Sequence, residues 1–448
     1  MASRQRRRSA AAADIDPVKW WTNQEAADTI IASAELVAWL ADTPKQAMLN
    51  QYNALLTDLR RKTLSGSHAC AQRTVTLLRN VIGRCRIPTV KSLVQRLSVM
   101  GHELLAAAPA ELAIMNIVRR VLSLVREEAQ LVATRSGGEV DDAEESGDPR
   151  RPTSRRFVPA EEDVLAINFK PVRANLLDAI NELMDELANV NAAVADSVSE
   201  YIHSNDVILT HGADDTVLSF LLAAAGYVPD GAGSMKRKAK SKCRSFEVFV
   251  TEAAPSLDGH VMAKKLARHD IRVRASVCLL NYPGRLSPPP LPAVPPRKAT
   301  VISDAAAFAV MARVHKVIVG AHVVMADGGL ISTAGVHAVA LAAKHHSVPF
   351  VCVTGLFKLC PVYAGNSVRA TGDGSFGFKN ILLSPGDVLD FSTADFSSRT
   401  VDVQNPAFDF VPPRLVTLFV TNDRDAQPSY VYRLLAENYD RADAIRTK

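Results

Sequence analysis

The sequence predicts an α/β fold: an N-terminal helical domain followed by a Rossmann-like, doubly wound parallel sheet domain. Three observations predict it. From about Val18 to Gln130, apolar residues recur at three- and four-residue steps, the period of a helix with one buried face. From Asp206 onward, short apolar runs alternate with helical stretches, the pattern of strands buried on both faces by crossover helices. Between the two, residues 136–160 are polar and breaker-rich, with Gly137-Gly138 and Arg150-Arg151-Pro152, as expected of a flexible linker.

The helical part is read as follows. Residues 1–17 form a basic tail, with Arg4, Arg6, Arg7 and Arg8, expected to be disordered. The helical domain then covers 18–135, beginning with a helix from about Asn23 to Leu40, after which Pro44 opens the next. Thr74, Leu77, Leu78, Val81 and Ile82 share a face, as do Ile114, Ile117, Val118, Val121, Leu122 and Val125. Residues 161–205 hold a long connecting helix from about Pro171 to Tyr201, since proline suits a first turn. Its stripe of Leu176, Ile180, Leu183, Leu187, Val190, Val194 and Tyr201 reads as core.

The sheet domain is placed at 206–448. Its strands are predicted at Val207–Thr210, Phe246–Thr251, Thr300–Ile302, Lys316–Gly320, Phe350–Thr354 and Val416–Thr421. Helices are predicted through Val217–Ala225, Leu257–Ala267 and Ala306–Met311. Insertions near 229–244, rich in Gly and Lys, and near 273–298, rich in Pro, interrupt the rhythm; the second favours polyproline structure.

Composition narrows the function. With 48% hydrophobic and 22% charged residues the chain is ordinary globular protein, and no apolar run reaches the roughly 18 residues a bilayer-spanning helix needs. A net charge of +5 rests largely on Arg4–Arg8 and on Lys236, Arg237, Lys238, Lys240 and Lys242. Such runs read as solvated, so neither nucleic acid nor membrane is expected as a partner. Six cysteines without C-x-x-C pairing argue against a disulfide scaffold or a structural zinc and for reduced thiols in the cytosol.

Gly372-Asp373-Gly374-Ser375-Phe376-Gly377 matches G-x-G-x-x-G. A pyrophosphate loop must follow a strand and open a helix. Here Ile381-Leu382-Leu383, expected to be a strand, comes next instead, and no P-loop occurs. No cofactor is expected.

Ligands of open α/β sheets bind outside the carboxyl ends of the strands. Three runs stand out there: Thr210-His211-Gly212-Ala213-Asp214-Asp215, Ser303-Asp304-Ala305-Ala306, and Gly320 with Ala326-Asp327-Gly328-Gly329. Asp304 is placed to cap the next helix, its alternative being a general acid or base. His345-His346 suits a helix end, and Cys352 lies within an apolar strand as core packing.

These residues carry a resemblance. Asp304–Met311, Lys316–Gly320, the stretch from His337 through Ala342–Ser347, Phe408–Pro413 and Pro428-Ser429-Tyr430-Val431-Tyr432-Arg433-Leu434 resemble the beta subunits of eukaryotic translation initiation factor 2B. In the helical half, Leu77-Leu78-Arg79, Ile82-Gly83, Val118–Leu122 and Arg126-Glu127-Glu128 agree. The resemblance implies a helical domain on a Rossmann-like domain, and a non-catalytic regulatory subunit. Its implied partners are alpha, gamma, delta and epsilon subunits, with exchange catalysed by epsilon. Initiation factor 2 is the implied substrate, its alpha subunit the phosphorylated signal. Tyr430, Tyr432 and Arg433 are interface candidates, being of residue types common at binding hot spots.

The same fold family includes sugar-phosphate isomerases that resemble this chain at the strand ends, and an isomerase is the alternative reading. They pair a cysteine with an aspartate for proton transfer. The aspartate matches Asp304, but where the cysteine would follow Thr-His, this chain has Gly212. Glycine has no titratable group. What remains is a vestigial pocket, marked by Gly212, Asp304 and Gly328.

Overall fold

A computed structural model describes residues 33–64, 66–136, 161–229, 235–237, 246–269, 300–363, 380–390 and 402–440. The basic tail, nearly all of the linker, the proline-rich insertion, Cys243, Cys278 and the Gly372–Gly377 motif lie outside these residues. Two compact units emerge, divided within the long connecting helix: one holds the chain up to Leu187 and from Leu435 on, the other nearly all between.

The helical unit contains Ser33–Ala41, Ala47–Arg60, Ser67–Arg84, Val90–Ala107, Leu112–Ser136 and Glu161–Ala166. Pro44 opens a 3₁₀ turn that leads into the second of these helices, as predicted. Thr89 caps Val90–Ala107, its hydroxyl accepting from the Ser92 amide at 3.3 Å. The predicted apolar faces are the buried ones: Leu77, Leu78, Val81 and Ile82 on one helix, and Ile114, Ile117, Val118, Val121, Leu122 and Val125 on another. At Gly101 two helices come so close that a Cβ would stand 2.9 Å from Val118 Cγ1.

The connecting helix is shorter than its stripe suggests. It runs Arg173–Asp196 and is followed by a separate turn, Val198–Tyr201. Ser197 stands at the break, its hydroxyl bonded back to Val194 O at 2.9 Å, the local competition that weakens helices at serine.

All six predicted strands form one parallel sheet: β1 (Val207–His211), β4 (Glu247–Thr251), β5 (Thr300–Ile302), β6 (Lys316–Gly320), β9 (Phe350–Val353) and β11 (Leu418–Val420). Their order, β11-β9-β6-β1-β4-β5, starts at β1, runs out through β4 to β5, and returns to the other side of β1 with β6. The chain therefore reverses direction between β1 and β6, and this topological switch point is where doubly wound sheets open a ligand crevice. In β1, β4 and β6 every residue after the first is buried, because helices cover both faces.

Two short sheets were not foreseen. β2 (Tyr227–Pro229) pairs with β3 (Met235–Arg237). β7 (Val323–Val324), β8 (Leu330–Thr333) and β10 (Phe408–Val411) form an antiparallel sheet. Ala326–Gly329 is therefore not the end of a parallel strand but the turn between β7 and β8, with Gly328 at φ +79°, a left-handed conformation that glycine adopts freely. Nor is Ile381–Leu383 a strand: it forms a single bridge, Leu382 to Pro406, and Leu382 is 63% exposed. A strand with no covered face buries too little to extend further. No described helix is long and apolar enough to cross a membrane.

Candidate functional site

The carboxyl ends of β1, β4, β5, β6 and β9 gather the polar residues of the sheet unit. His211, the last residue of β1, is the centre. It is 5% exposed, with Nε2 2.9 Å from Ala334 O and Nδ1 2.7 Å from Thr251 Oγ1. A carbonyl only accepts, so Nε2 carries a proton, while Nδ1 faces the Thr251 hydroxyl, whose single proton also has Thr210 O as an acceptor at 3.3 Å. Burial pushes the imidazole pKa down, against the Ala334 hydrogen bond and the carboxylates of Asp304, Asp409 and Asp258. Burial thus favours the neutral ring, and both nitrogens are engaged. It ties β1 to β4 and to the loop after β8.

Asp304 does not cap its own helix, contrary to expectation. The N-cap of its 3₁₀ turn is Ser303, without a side-chain bond. The Asp304 carboxylate instead crosses to the segment after β4, accepting from the amides of Ala253 at 3.0 Å and Ala254 at 2.8 Å. Its Oδ1 lies 3.9 Å from His211 Nδ1, too far for a hydrogen bond.

Gly212 takes φ +64°, and a Cβ there would stand 3.0 Å from Thr333 Oγ1. The position thus lacks a thiol; its left-handed backbone disfavours any Cβ, and the Thr333 hydroxyl would have to give slightly to admit one. Gly328, expected to share this pocket, sits in the β7–β8 turn, where its Cβ would meet Pro428 O at 2.5 Å. That close approach holds the turn against the segment that begins Pro428–Tyr430.

Two residues at the strand ends, Asp409 and Lys358, are not singled out by the sequence as site residues, whereas Asp214 belongs to a run that is. Asp409, on β10, accepts from Gly335 N at 2.7 Å, at the start of helix Val336–His345. Lys358, in the 3₁₀ turn after β9, is 5% exposed and donates from Nζ to Asp214 Oδ2 at 3.2 Å. Asp214 itself caps helix Asp215–Ala224, Oδ1 accepting from Thr216 N at 2.7 Å and Val217 N at 3.1 Å. One hint was available: Lys358 interrupts an apolar run, Leu356–Val362, and such a lysine is rarely buried unless paired.

Cys352 is fully buried in β9, and burial drives its thiol pKa up, so no thiolate forms there at neutral pH. His345 and His346 end their helix as predicted and pack against Phe308, with ring centroids 5.1 and 5.0 Å away. Of the interface candidates, Tyr432 is 63% exposed, while the Arg433 guanidinium lies 5.4 Å over the Tyr430 ring.

Fold and site together define a doubly wound α/β chain whose strand-end polar groups bond to one another and to nearby backbone. The chain belongs to the initiation factor 2 subunit family, whose model matches residues 63–277 and 298–423. It is 36% identical over 423 residues to translation initiation factor eIF2B subunit beta of Dictyostelium discoideum, covering 88% of this chain and 96% of that one. The eIF2B subunit beta of Schizosaccharomyces pombe is 30% identical over 434 residues, with the same coverage. A ribose 1,5-bisphosphate isomerase of Haloterrigena turkmenica is 27% identical over 267 residues, 59% of this chain and 68% of the isomerase. In fold, the chain is similar to the crystal structure of eIF2B beta from Chaetomium thermophilum, with TM-score 0.59, 22% identity, and coverage of 92% of this chain and 98% of that one. A chain of the tetrameric eIF2B beta2–delta2 complex of C. thermophilum superposes with TM-score 0.55 at 23% identity, covering 91% of this chain and all of that one.

Proposed function

We propose that this chain is a beta-type regulatory subunit of an initiation factor 2B assembly, acting in the cytosol through its protein interfaces. One observation carries the reading: at the strand ends, where an isomerase of this fold places its acid–base pair, both nitrogens of His211 are bonded within the protein and position 212 is a glycine in left-handed backbone, without a thiol. Asp304 has no partner in proton transfer and serves as a structural acceptor instead. The beta relatives match over 88% of the chain, whereas the isomerase match covers 59%.

In this reading the chain joins alpha, gamma, delta and epsilon subunits, and nucleotide exchange on initiation factor 2 is catalysed by another subunit. The C. thermophilum beta chain crystallises with delta as a beta2–delta2 tetramer, which supports delta as a direct neighbour. Regulation by phosphorylated initiation factor 2 alpha has a simple physical basis. A phosphoserine brings about −1.5 to −2 charges and strong acceptor oxygens, enough to favour one arrangement of a two-state core over another.

Affinity purification through this subunit, with mass measurement of the intact complex, tests the assembly. Delta, gamma and epsilon partners should co-purify. A lone chain that turns over ribose 1,5-bisphosphate would sink the reading and install the isomerase in its place. Within the assembly, removing basic residues at the surface that meets the phosphorylated alpha subunit should abolish its inhibition of exchange, read as exchange rates with and without phosphorylation.

A further inference from the structure

We propose that Asp214 is a built-in replacement for a ligand anion, and that this carboxylate closes the switch-point crevice of the sheet to phosphate-bearing ligands. The crevice lies between the carboxyl ends of β1 and β6, where the strand order reverses and where doubly wound folds hold phosphates. Two independent groups that attract anions converge there. One is the N-terminus of the ten-residue helix Asp215–Ala224, whose Thr216 and Val217 amides point out of the first turn. Such an end is a ready anion site. The other is the ammonium of Lys358, brought in from the turn after β9 with its side chain only 6% exposed.

A lysine so deeply buried needs a counter-charge, and a sugar-phosphate enzyme can let its substrate supply one. Here a single carboxylate does it permanently: Asp214 Oδ1 accepts from both amides and Oδ2 from Lys358. Space is filled as well as charge, because a Cβ on Gly320, the last residue of β6, would lie 2.4 Å from Asp214 Cγ. Donors, cation and volume are all used from within. The inference deepens the regulatory reading: the chain has closed this crevice to phosphate as well as lacking the catalytic thiol.

The test is inorganic phosphate binding to the full-length chain by titration calorimetry. Wild type should show no saturable binding at millimolar phosphate. Asp214→Ser keeps an N-capping oxygen but withdraws the charge and opens room, so its phosphate affinity should rise at least about tenfold, or 1.4 kcal/mol. Adding Lys358→Met to that variant should remove the gain. Saturable binding by wild type, a folded Asp214→Ser with no gain, or a gain that survives Lys358→Met would each overturn the inference. Asp214→Gly, also tolerated at N-caps, takes the place of the serine variant if that one does not fold. Should neither fold, wild type decides: phosphate binding that is lost in Lys358→Met overturns the proposal, and absence of binding supports it. Since the readout is phosphate and not assembly, failure here leaves the subunit reading standing, and failure to assemble leaves this inference standing.

Discussion

The helix threonines of one unit and the strand-end polar groups of the other act on different length scales. In the helical unit, three threonine hydroxyls bond within their own turn, Thr74 to Cys70 O, Thr57 to Asn53 O and Thr134 to Gln130 O, while bonds such as Tyr52 to Glu103 and Trp39 to Arg86 O join separate segments. At the strand ends of the sheet unit the bonds are long-range. His211 reaches Thr251 and Ala334, Asp304 reaches Ala253 and Ala254, and Lys358 reaches Asp214. Parallel strands must all end together at one edge, so residues far apart in sequence meet there. The difference teaches that loss of a threonine bond inside a helix stays local, whereas damage at the strand ends unties several elements at once.

The sharpest way to break that comparison is a pair of helix glycines. A Cβ at Gly259 would stand 2.0 Å from Thr251 O and 2.9 Å from Glu252 Cα, backbone that cannot step aside. Gly259→Ala should cost at least the upper end of the roughly 1–3 kcal/mol typical of overpacking. At Gly101 the neighbours are the Val118 and Met115 side chains, at 2.9 and 3.0 Å, which can rotate. Alanine also gains about 0.5–1 kcal/mol over glycine inside a helix. Gly101→Ala should therefore change stability by less than about 1 kcal/mol, in denaturant titrations of both variants. Equal costs would break the contrast.

Each unit also buries a histidine whose pKa is pushed down by burial, His102 in the helical unit and His211 at the strand ends. The folded pKa is below the unfolded value, so the unfolded chain binds the proton first. Stability is full above about pH 6.5 and falls as pH drops through the folded values, by at most about 1.4 kcal/mol per pH unit for each proton. His211→Gln, which is always neutral, should flatten part of that acid loss, and His102→Gln another part, in melts recorded from pH 7.5 to 5. The Asp304 and Asp409 carboxylates favour the charged form of His211, so the two contributions should differ.

Smallest are the losses of single acceptor side chains. Thr89→Ala removes one local cap bond and should cost about 1 kcal/mol. Asp304→Ala takes away the acceptor of two amides at once, but water reaches the Ala254 amide, so the cost should fall near the low end of roughly 1–3 kcal/mol. Hydrogen exchange sharpens the contrast further. Protection should fall only along Val90–Ala107 for Thr89→Ala, but at both Ala253–Ala254 and the Asp304 turn for Asp304→Ala.

Much of this architecture was legible in the sequence. The buried faces of Ser67–Arg84 and Leu112–Ser136 are its helical stripes, and all six strands of the parallel sheet are its apolar runs. Burial on both faces makes a strand apolar end to end, and burial on one face makes a helix periodic; both are local facts. The β7–β8–β10 sheet escaped because β7 is two residues long and β10 joins β8 from far along the chain. The missing thiol at position 212 was equally plain, since residue identity needs no fold.

What a side chain bonds to was a different matter. Asp304 read as the cap of its own helix because a sequence shows only near neighbours; its true partners are fifty residues earlier. Asp214 and Lys358 looked unrelated, yet they neutralise each other across the switch point. By itself, the sequence determined which segments become helices and strands and that Gly212 cannot move a proton. Only the tertiary structure decided how each strand-end charge is satisfied, because the order of strands in the sheet selects which distant residues share one edge.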